Sequence, residues 1–392
     1  GDDYMFKDNK IFILGLARSG YQAAKLLINR GNKVVLNDGK AEEKLDAEQI
    51  KELRDLGVEL IFGSHPDDIL DDSFDYLIKN PGVPIDHKYV LKARELGIEV
   101  MNEVEMAYRL LPEGVKMIAI TGTNGKTTTT TLTYEIMKKA FGDKVFLAGN
   151  IGYPLSSILN DVKSGDIIVI EVSCQQLENL TQFNPDVALM TNLSPAHIDF
   201  LKSYNVAILN IENDDVIEET KNIKSTIKYF SSKKEINGGY LKDNDLYYYG
   251  EKVMSRDDIF IAGLHNVENC ISAIMLVKEF GVSNEIIKDV ISNFRGVEHR
   301  LEYVDTIDGR RFYNDTEATN IKCTQIALAS FDKPTIIILG GLERGQDFNE
   351  LTPFMNNVKA IIGIGQCRER VLEFGNSIDI PTYIFEHLND GF

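Results

Sequence analysis

At 392 residues the chain is longer than one ordinary domain, so two or three compact domains are expected. Its 43% hydrophobic, 9% aromatic and 26% charged residues are those of an average globular protein and exclude a fibrous or disordered one. A formal net charge of -18 works against sequence-independent nucleic-acid binding, which relies on clustered Lys and Arg, so any phosphate-bearing ligand must be held by a local site.

Residues 10–14 form a short apolar run that ends in the glycine turn Gly15-Leu16-Ala17-Arg18-Ser19-Gly20. A helical pattern over 21–30 and a second strand over 33–36 follow, giving strand, glycine turn, helix and strand in order. Further strands are expected at 59–62 and 76–79, the latter ended by the turn Asn80-Pro81-Gly82-Val83-Pro84. The simplest account is a parallel-sheet domain over residues 1–102. A new strand at 116–120 leads into Thr121-Gly122-Thr123-Asn124-Gly125-Lys126-Thr127-Thr128 and a helix through about Phe141. With strands at 144–147, 166–171 and 187–192 the alternation continues, and a second α/β domain is expected over 103–297. A third, over 298–392, opens with strands at 301–304 and 311–314 and continues with 335–339 and 360–364 as buried strands. The fold class is therefore α/β throughout.

No apolar run reaches membrane-spanning length, and residues 1–6 lack the basic start and apolar stretch of a secretory signal. A cytoplasmic protein with no membrane or nucleic-acid partner is expected. Cys174, Cys270, Cys323 and Cys367 are scattered without a CxxC pair and read as ordinary core or near-surface thiols.

The segment Gly122-Thr123-Asn124-Gly125-Lys126-Thr127 lies between an apolar strand and a helix, where backbone N–H groups and the helix N-terminus favour an anion. Glycines let the backbone approach phosphate oxygens. Lys126 is placed to neutralise the β and γ oxygens of ATP, and the Thr127 hydroxyl to ligate Mg²⁺. Ile120 occupies the place where the commoner GxxxxGKT pattern has its first glycine. Glu171 ends the apolar strand 167–170, and His197 follows another strand. The carboxyl ends of strands border the ligand crevice in open α/β sheets, so both side chains are candidate metal ligands beside Thr127. Mg²⁺ prefers oxygen, so a histidine ligand calls for a second metal position or a mixed site.

Seven further segments accompany that loop: Gly149-Asn-Ile-Gly152, Glu171-Val-Ser173, Asn192-Leu-Ser-Pro-Ala-His197-Ile-Asp199, Gly263-Leu-His-Asn266-Val-Glu-Asn269, His299-Arg300, Asn314-Asp315-Thr-Glu-Ala-Thr319-Asn320 and the opening Gly15–Gly20 turn. Together and in this order they resemble the Mur ligases, above all those that add D-glutamate to UDP-N-acetylmuramoyl-L-alanine. The resemblance implies a Rossmann-like first domain for the uridine nucleotide, a P-loop-type central domain for ATP, and a Rossmann-like C-terminal domain for the amino acid. It implies a monomer, ATP and Mg²⁺, and metal ligation by Thr127, Glu171 and His197, with Lys126, Glu171 and His197 serving the chemistry. ATP contacts are implied for Gly122, Thr123, Asn124, Gly125, Lys126, Thr127 and Thr128, for Asn266 and Asn269 on the adenine side, and for Arg300 and Asp315 at phosphate and ribose. Ser19, Asp38, Gly82 and Asn150 are implied on the nucleotide-substrate side, Arg344 on the amino-acid side, and Ser173 and Thr319 as further substrate contacts.

Only eight residues separate His197 from the strand-like segment 206–210, where the family carries a helix with a carbamylated lysine. The chain stops at Phe392, where the family continues through a further helix and loop. Glu317 stands where D-glutamate ligases usually have lysine, and Cys174-Gln175 replaces a usual Ser-Phe. A related ligase of the folylpolyglutamate type, or a non-catalytic nucleotide-binding relative, is the competing reading. A dinucleotide oxidoreductase would rest on the one imperfect glycine turn at 15–20.

Overall fold

The computed structural model describes residues 3–122, 125–191, 205–298 and 300–391. It divides into two compact units, one of residues 1–254 with 269–290 and one of 255–268 with 291–392.

The first unit holds two parallel-rich sheets. One has the order β3-β2-β1-β4-β5, from β1 (Lys10–Leu14), β2 (Lys33–Asp38), β3 (Glu59–Phe62), β4 (Tyr76–Lys79) and β5 (Glu99–Met101). Ile11 to Leu14 are all buried, as a central strand covered on both faces must be. Helix α1 (Ala17–Asn29) presents Gly20, Ala23, Ala24 and Leu27 to this sheet, a spacing that keeps them on one helical face. A Cβ on Gly20 would stand 2.0 Å from the Gly15 carbonyl oxygen, so the turn closes this tightly only because residue 20 has no side chain. Helix α2 (Ala47–Asp55) packs in the same core as α1, on the face of Ile11 and Ile13, whereas α3 (Lys88–Glu95) packs against Phe12 and Leu14 on the opposite face. Asp46 caps α2 by accepting from the Glu48 and Gln49 backbone N–H groups.

The second sheet has nine strands in the order β14-β13-β12-β11-β10-β9-β6-β8-β7. These are β6 (Lys116–Thr121), β7 (Val145–Gly149), β8 (Ile167–Glu171), β9 (Val187–Met190), β10 (Val206–Asn210), β11 (Thr226–Ser231), β12 (Gly238–Lys242), β13 (Asp245–Tyr248) and β14 (Glu251–Ser255). β7, β8, β6, β9, β10, β11 and β12 run parallel, and β13 returns antiparallel against β12.

Helix α4 (Glu103–Arg109) joins the two sheets: Met106 packs in the core of the first, while Val104 and Ala107 pack in the core of the second. Its polar side is equally committed. Asn102 caps the helix through the Glu105 N–H and donates to the Gln176 carbonyl at 2.5 Å. The fully buried Glu105 accepts from the Thr181 N–H at 2.7 Å and hydroxyl at 2.9 Å, and from the N–H groups of Gln182 and Phe183.

The second unit carries the hairpin β15 (Glu302–Ile307) and β16 (Arg310–Asn314) and the parallel sheet β17-β18-β19, from Thr335–Gly341, Val358–Gly365 and Thr382–Phe385. Here the expectation of two buried strands needs correcting. On β17, Ile336 is 60% exposed and Ile338 40%. β17 is an edge strand whose residues alternate between two faces, with Leu339 on the core side. Among the described residues no helix is long and apolar enough to cross a membrane. Of the cysteines, Cys270 and Cys367 are buried, and Cys174 and Cys323 half-buried.

Glu105 gathers four donors of the 181–183 segment, so the variant Glu105→Ala is expected to lose about 3 kcal/mol of unfolding free energy in urea titration. Glu105→Gln, which keeps an acceptor oxygen, is expected to lose under half of that. Equal losses in the two variants would contradict this role for the acceptor.

Candidate active site

The phosphate loop lies between β6 and helix α5 (Lys126–Phe141), whose N-terminus carries the positive end of the helix dipole. Gly122 has φ +130° and Gly125 φ +76°, both in the region that favours glycine. A Cβ at Gly125 would also stand 2.7 Å from Asn269 Oδ1, which puts the Asn269 side chain against the loop. Asn269 Oδ1 in turn accepts from the Thr129 hydroxyl at 3.3 Å. Thr123 and Asn124 lie outside the described residues.

Glu171 is the centre of the site. It ends β8, in register with Ile120 on β6 and Gly149 on β7, and is 1% exposed. Its Oε2 accepts from the Thr127 hydroxyl at 3.3 Å and its Oε1 from the Asn150 amide at 3.2 Å. The Asn150 N–H also donates to the Glu171 carbonyl at 2.9 Å. A Cβ at Gly149 would fall 2.2 Å from that carbonyl oxygen, so the β7 end can close on β8 only as glycine. Among the described residues no cation pairs with this buried carboxylate. Burying such a group against neutral donors alone is costly, so its setting fits a bound cation beside the Thr127 hydroxyl. His197, the third expected metal ligand, lies outside the described residues.

Ser173 follows two residues later, but its hydroxyl accepts from the Gln176 N–H in a capping box at the short helix Cys174–Leu177. Cys174 Sγ reaches the Gly122 carbonyl at 3.6 Å. Lys126 and Thr128 sit half-buried in the first turn of α5.

Of the nucleotide-substrate candidates, Ser19, Asp38 and Gly82 lie at the carboxyl edge of the first sheet. Asp38 accepts from the Leu16 N–H with Oδ2 and the Lys40 N–H with Oδ1, both at 2.9 Å, and so shapes the Gly15–Gly20 turn. Asn80 donates to the Ser19 hydroxyl at 3.2 Å and accepts from the Gly82 N–H at 3.0 Å. Arg18 donates to the Gly152 carbonyl at 2.5 Å, which links this turn to the loop carrying Asn150. The sequence motifs at 15–20 and 80–84 contain Arg18 and Asn80 without assigning them contacts; Lys79 was missed, and a lysine ending the apolar strand 76–79 was its one available signal.

Asn266 and Asn269 share helix Leu264–Lys278, as their spacing predicts, and are 5% and 8% exposed. Asn266 donates to the Ala262 carbonyl at 2.7 Å, and the neighbouring His265 ring contacts the Ser330 hydroxyl at 3.4 Å. Burial holds the His265 pKa below its usual value.

In the second unit, Asp315 follows β16 and accepts from the Leu301 N–H at 3.0 Å. Burial raises its carboxyl pKa, opposed by that N–H and by the Arg300 charge. Glu317 and Thr319 are exposed in the turn leading to helix Ile321–Ala329, which Asn320 caps. Arg344 is exposed beyond β17, with its N–H on Gln346 Oε1 at 3.0 Å.

Two domain families match the chain: the Mur ligase MurD-like N-terminal domain over residues 9–102 and the Mur ligase middle domain over 120–206. The UDP-N-acetylmuramoylalanine–D-glutamate ligase of Enterococcus hirae is 42% identical over 399 residues, covering 96% of this chain and 85% of that protein. The enzyme of that name from Streptococcus pneumoniae strain P1031 is 41% identical over 384 residues, covering 93% and 84%. Among solved structures, UDP-N-acetylmuramate–alanine ligase of Thermotoga maritima has a TM-score of 0.58 at 18% identity, covering 97% and 91% of the two chains. MurF of Acinetobacter baumannii has 0.56 at 18%, covering 91% and 82%, and these two likenesses concern the fold alone. On the strength of relatives matched along nearly its whole length, the chain belongs to the Mur ligase family.

Proposed function

We propose that the chain is an ATP-dependent ligase that joins D-glutamate to UDP-N-acetylmuramoyl-L-alanine in peptidoglycan precursor synthesis. The observation that carries this reading is the 42% identity, over 96% of the chain, to a ligase with that name. The phosphate loop beside the buried Glu171 supports it chemically.

A free carboxylate is a poor acyl donor, so the reaction begins with transfer of the γ-phosphoryl group of ATP to the substrate carboxylate. The bond from the γ phosphorus to the β–γ bridging oxygen breaks, a carboxylate oxygen takes its place, and ADP leaves. The amine of D-glutamate then attacks the acyl carbon, loses a proton, and expels phosphate as the amide forms. Lys126 spreads the charge on the transferring group, and the loop N–H groups orient it, so catalysis is mainly positioning and electrostatics. Thr127, Glu171 and His197 would hold Mg²⁺, which supplies further neutralisation of phosphate charge. Asn150 donates to one oxygen of Glu171 and thereby fixes the carboxylate's orientation.

In this reading residues 1–102 bind the uridine nucleotide through Ser19, Asp38 and Gly82. Residues 103–297 bind ATP, with Asn266 and Asn269 on the adenine side and Asn150 and Ser173 toward the substrate. Residues 298–392 bring Arg300 and Asp315 to the nucleotide, and Thr319 and Arg344 to the amino acid. The enzyme works as a cytoplasmic monomer and serves cell-wall growth and division.

Two experiments test this. Phosphate release from ATP and Mg²⁺ with UDP-N-acetylmuramoyl-L-alanine is expected with D-glutamate and not with L-glutamate, L-lysine or D-aspartate. Release with a different amino acid alone would overturn the acceptor, and no release with any would overturn the ligase. Separately, Glu171→Gln is expected to lower kcat roughly 100-fold or more and to shift the Mg²⁺ activation curve to higher concentration. An unchanged Mg²⁺ dependence would remove Glu171 from the metal site.

A further inference from the structure

Lys79 ends β4 with its side chain 0% exposed. Its ammonium donates to the Val83 carbonyl at 2.5 Å and the Asn80 carbonyl at 3.3 Å, and makes no ion pair among the described residues. A buried ammonium bonded only to neutral carbonyls is an expensive arrangement for stability, and an apolar side chain of similar volume is commonly as good or better. Burial also pulls the Lys79 pKa below its ordinary value.

The two carbonyls explain why a cation is there. Both belong to peptide bonds that precede a proline, Asn80–Pro81 and Val83–Pro84, and they flank the turn closed by the Val83 N–H on the Asn80 carbonyl at 3.0 Å. The ammonium ties the first and last carbonyls of this turn together. Within the same turn, the Asn80 side chain accepts from the Gly82 N–H and donates to the Ser19 hydroxyl. The Asn80 N–H is held on the Leu14 carbonyl at 2.9 Å. A Cβ at Gly15 would stand 2.8 Å from Asn80 Cβ, so the two turns are in close contact.

We infer that Lys79 is a positioning residue for the nucleotide-substrate subsite: its buried ammonium sets the 80–83 turn so that Asn80 holds Ser19 and Gly82 in place. The inference rests on the reading of Ser19 and Gly82 as part of that subsite.

The test compares Lys79→Met, Asn80→Ala and Ser19→Ala in the full chain by steady-state kinetics and by calorimetric titration with UDP-N-acetylmuramoyl-L-alanine. Lys79→Met is expected to melt at the same temperature as the parent or higher. It is expected to raise KM for the nucleotide substrate roughly tenfold, with KM for ATP within about twofold of the parent. Asn80→Ala, which leaves the lysine in place, is expected to raise the same KM in a folded protein. A purely structural lysine would instead lower the melting temperature with KM unchanged, and that result overturns the inference. If Lys79→Met does not fold, Asn80→Ala decides: an unchanged KM severs the link to Ser19 and overturns the inference. An unchanged KM in Ser19→Ala overturns the subsite reading itself, whereas an effect of Ser19→Ala without one from Lys79→Met overturns only the role of Lys79.

Discussion

A carboxylate buried at the end of a parallel strand, with, among the described residues, a threonine hydroxyl and an asparagine amide against it, is the constraint around which the first unit is arranged. Glu171 can sit there because β8 is flanked by β6 and β7 in a register that leaves Ile120 and Gly149 beside it. The absence of a side chain on Gly149 lets Asn150 fold over the strand end and reach the carboxylate. The opposite oxygen meets Thr127, in the first turn of the helix that follows the glycine loop. Phosphate loop and carboxylate therefore form one site because parallel neighbours finish at the same edge of the sheet.

The same economy recurs at the edge of the first sheet, with the opposite charge. Lys79 ends a strand paired with β1 and is buried among carbonyls, as Glu171 is buried among donors. Each charge is held by neutral partners and organises a glycine-containing turn. Helix α4 packs in both cores, and Arg18 reaches Gly152, so the two edges belong to one compact unit. A substrate carboxylate and an ATP γ-phosphate could not be aligned by two sheets that moved independently.

The sequence disclosed those parts of the fold whose chemistry is local. The strands ending at Leu14, Lys79 and Glu171 are apolar runs closed by glycine, proline or polar residues, and the structure has them where the pattern placed them. β12 begins Gly238-Gly239 and β5 is only three residues long, so neither carries a strand pattern of its own and both depend on pairing. The isoleucine run on β17 reads as fully buried, yet at an edge strand one of its faces is exposed. The phosphate loop was legible because backbone geometry demands those glycines at that spacing. The grip of Lys79 on two carbonyls and of Asn80 on Ser19 was not, because a residue spacing does not encode where a long side chain ends. His197 lies outside the described residues.

The most direct test of the central claim follows the substrate's own oxygen. If the carboxylate of UDP-N-acetylmuramoyl-L-alanine is labelled with ¹⁸O and the enzyme turned over with ATP and D-glutamate, acyl phosphate formation requires one labelled oxygen to leave in each phosphate released. Label in the phosphate, in proportion to amide formed, is the predicted result. Amide formation with unlabelled phosphate would contradict phosphoryl transfer to the carboxylate, and with it the role assigned to the loop and Lys126.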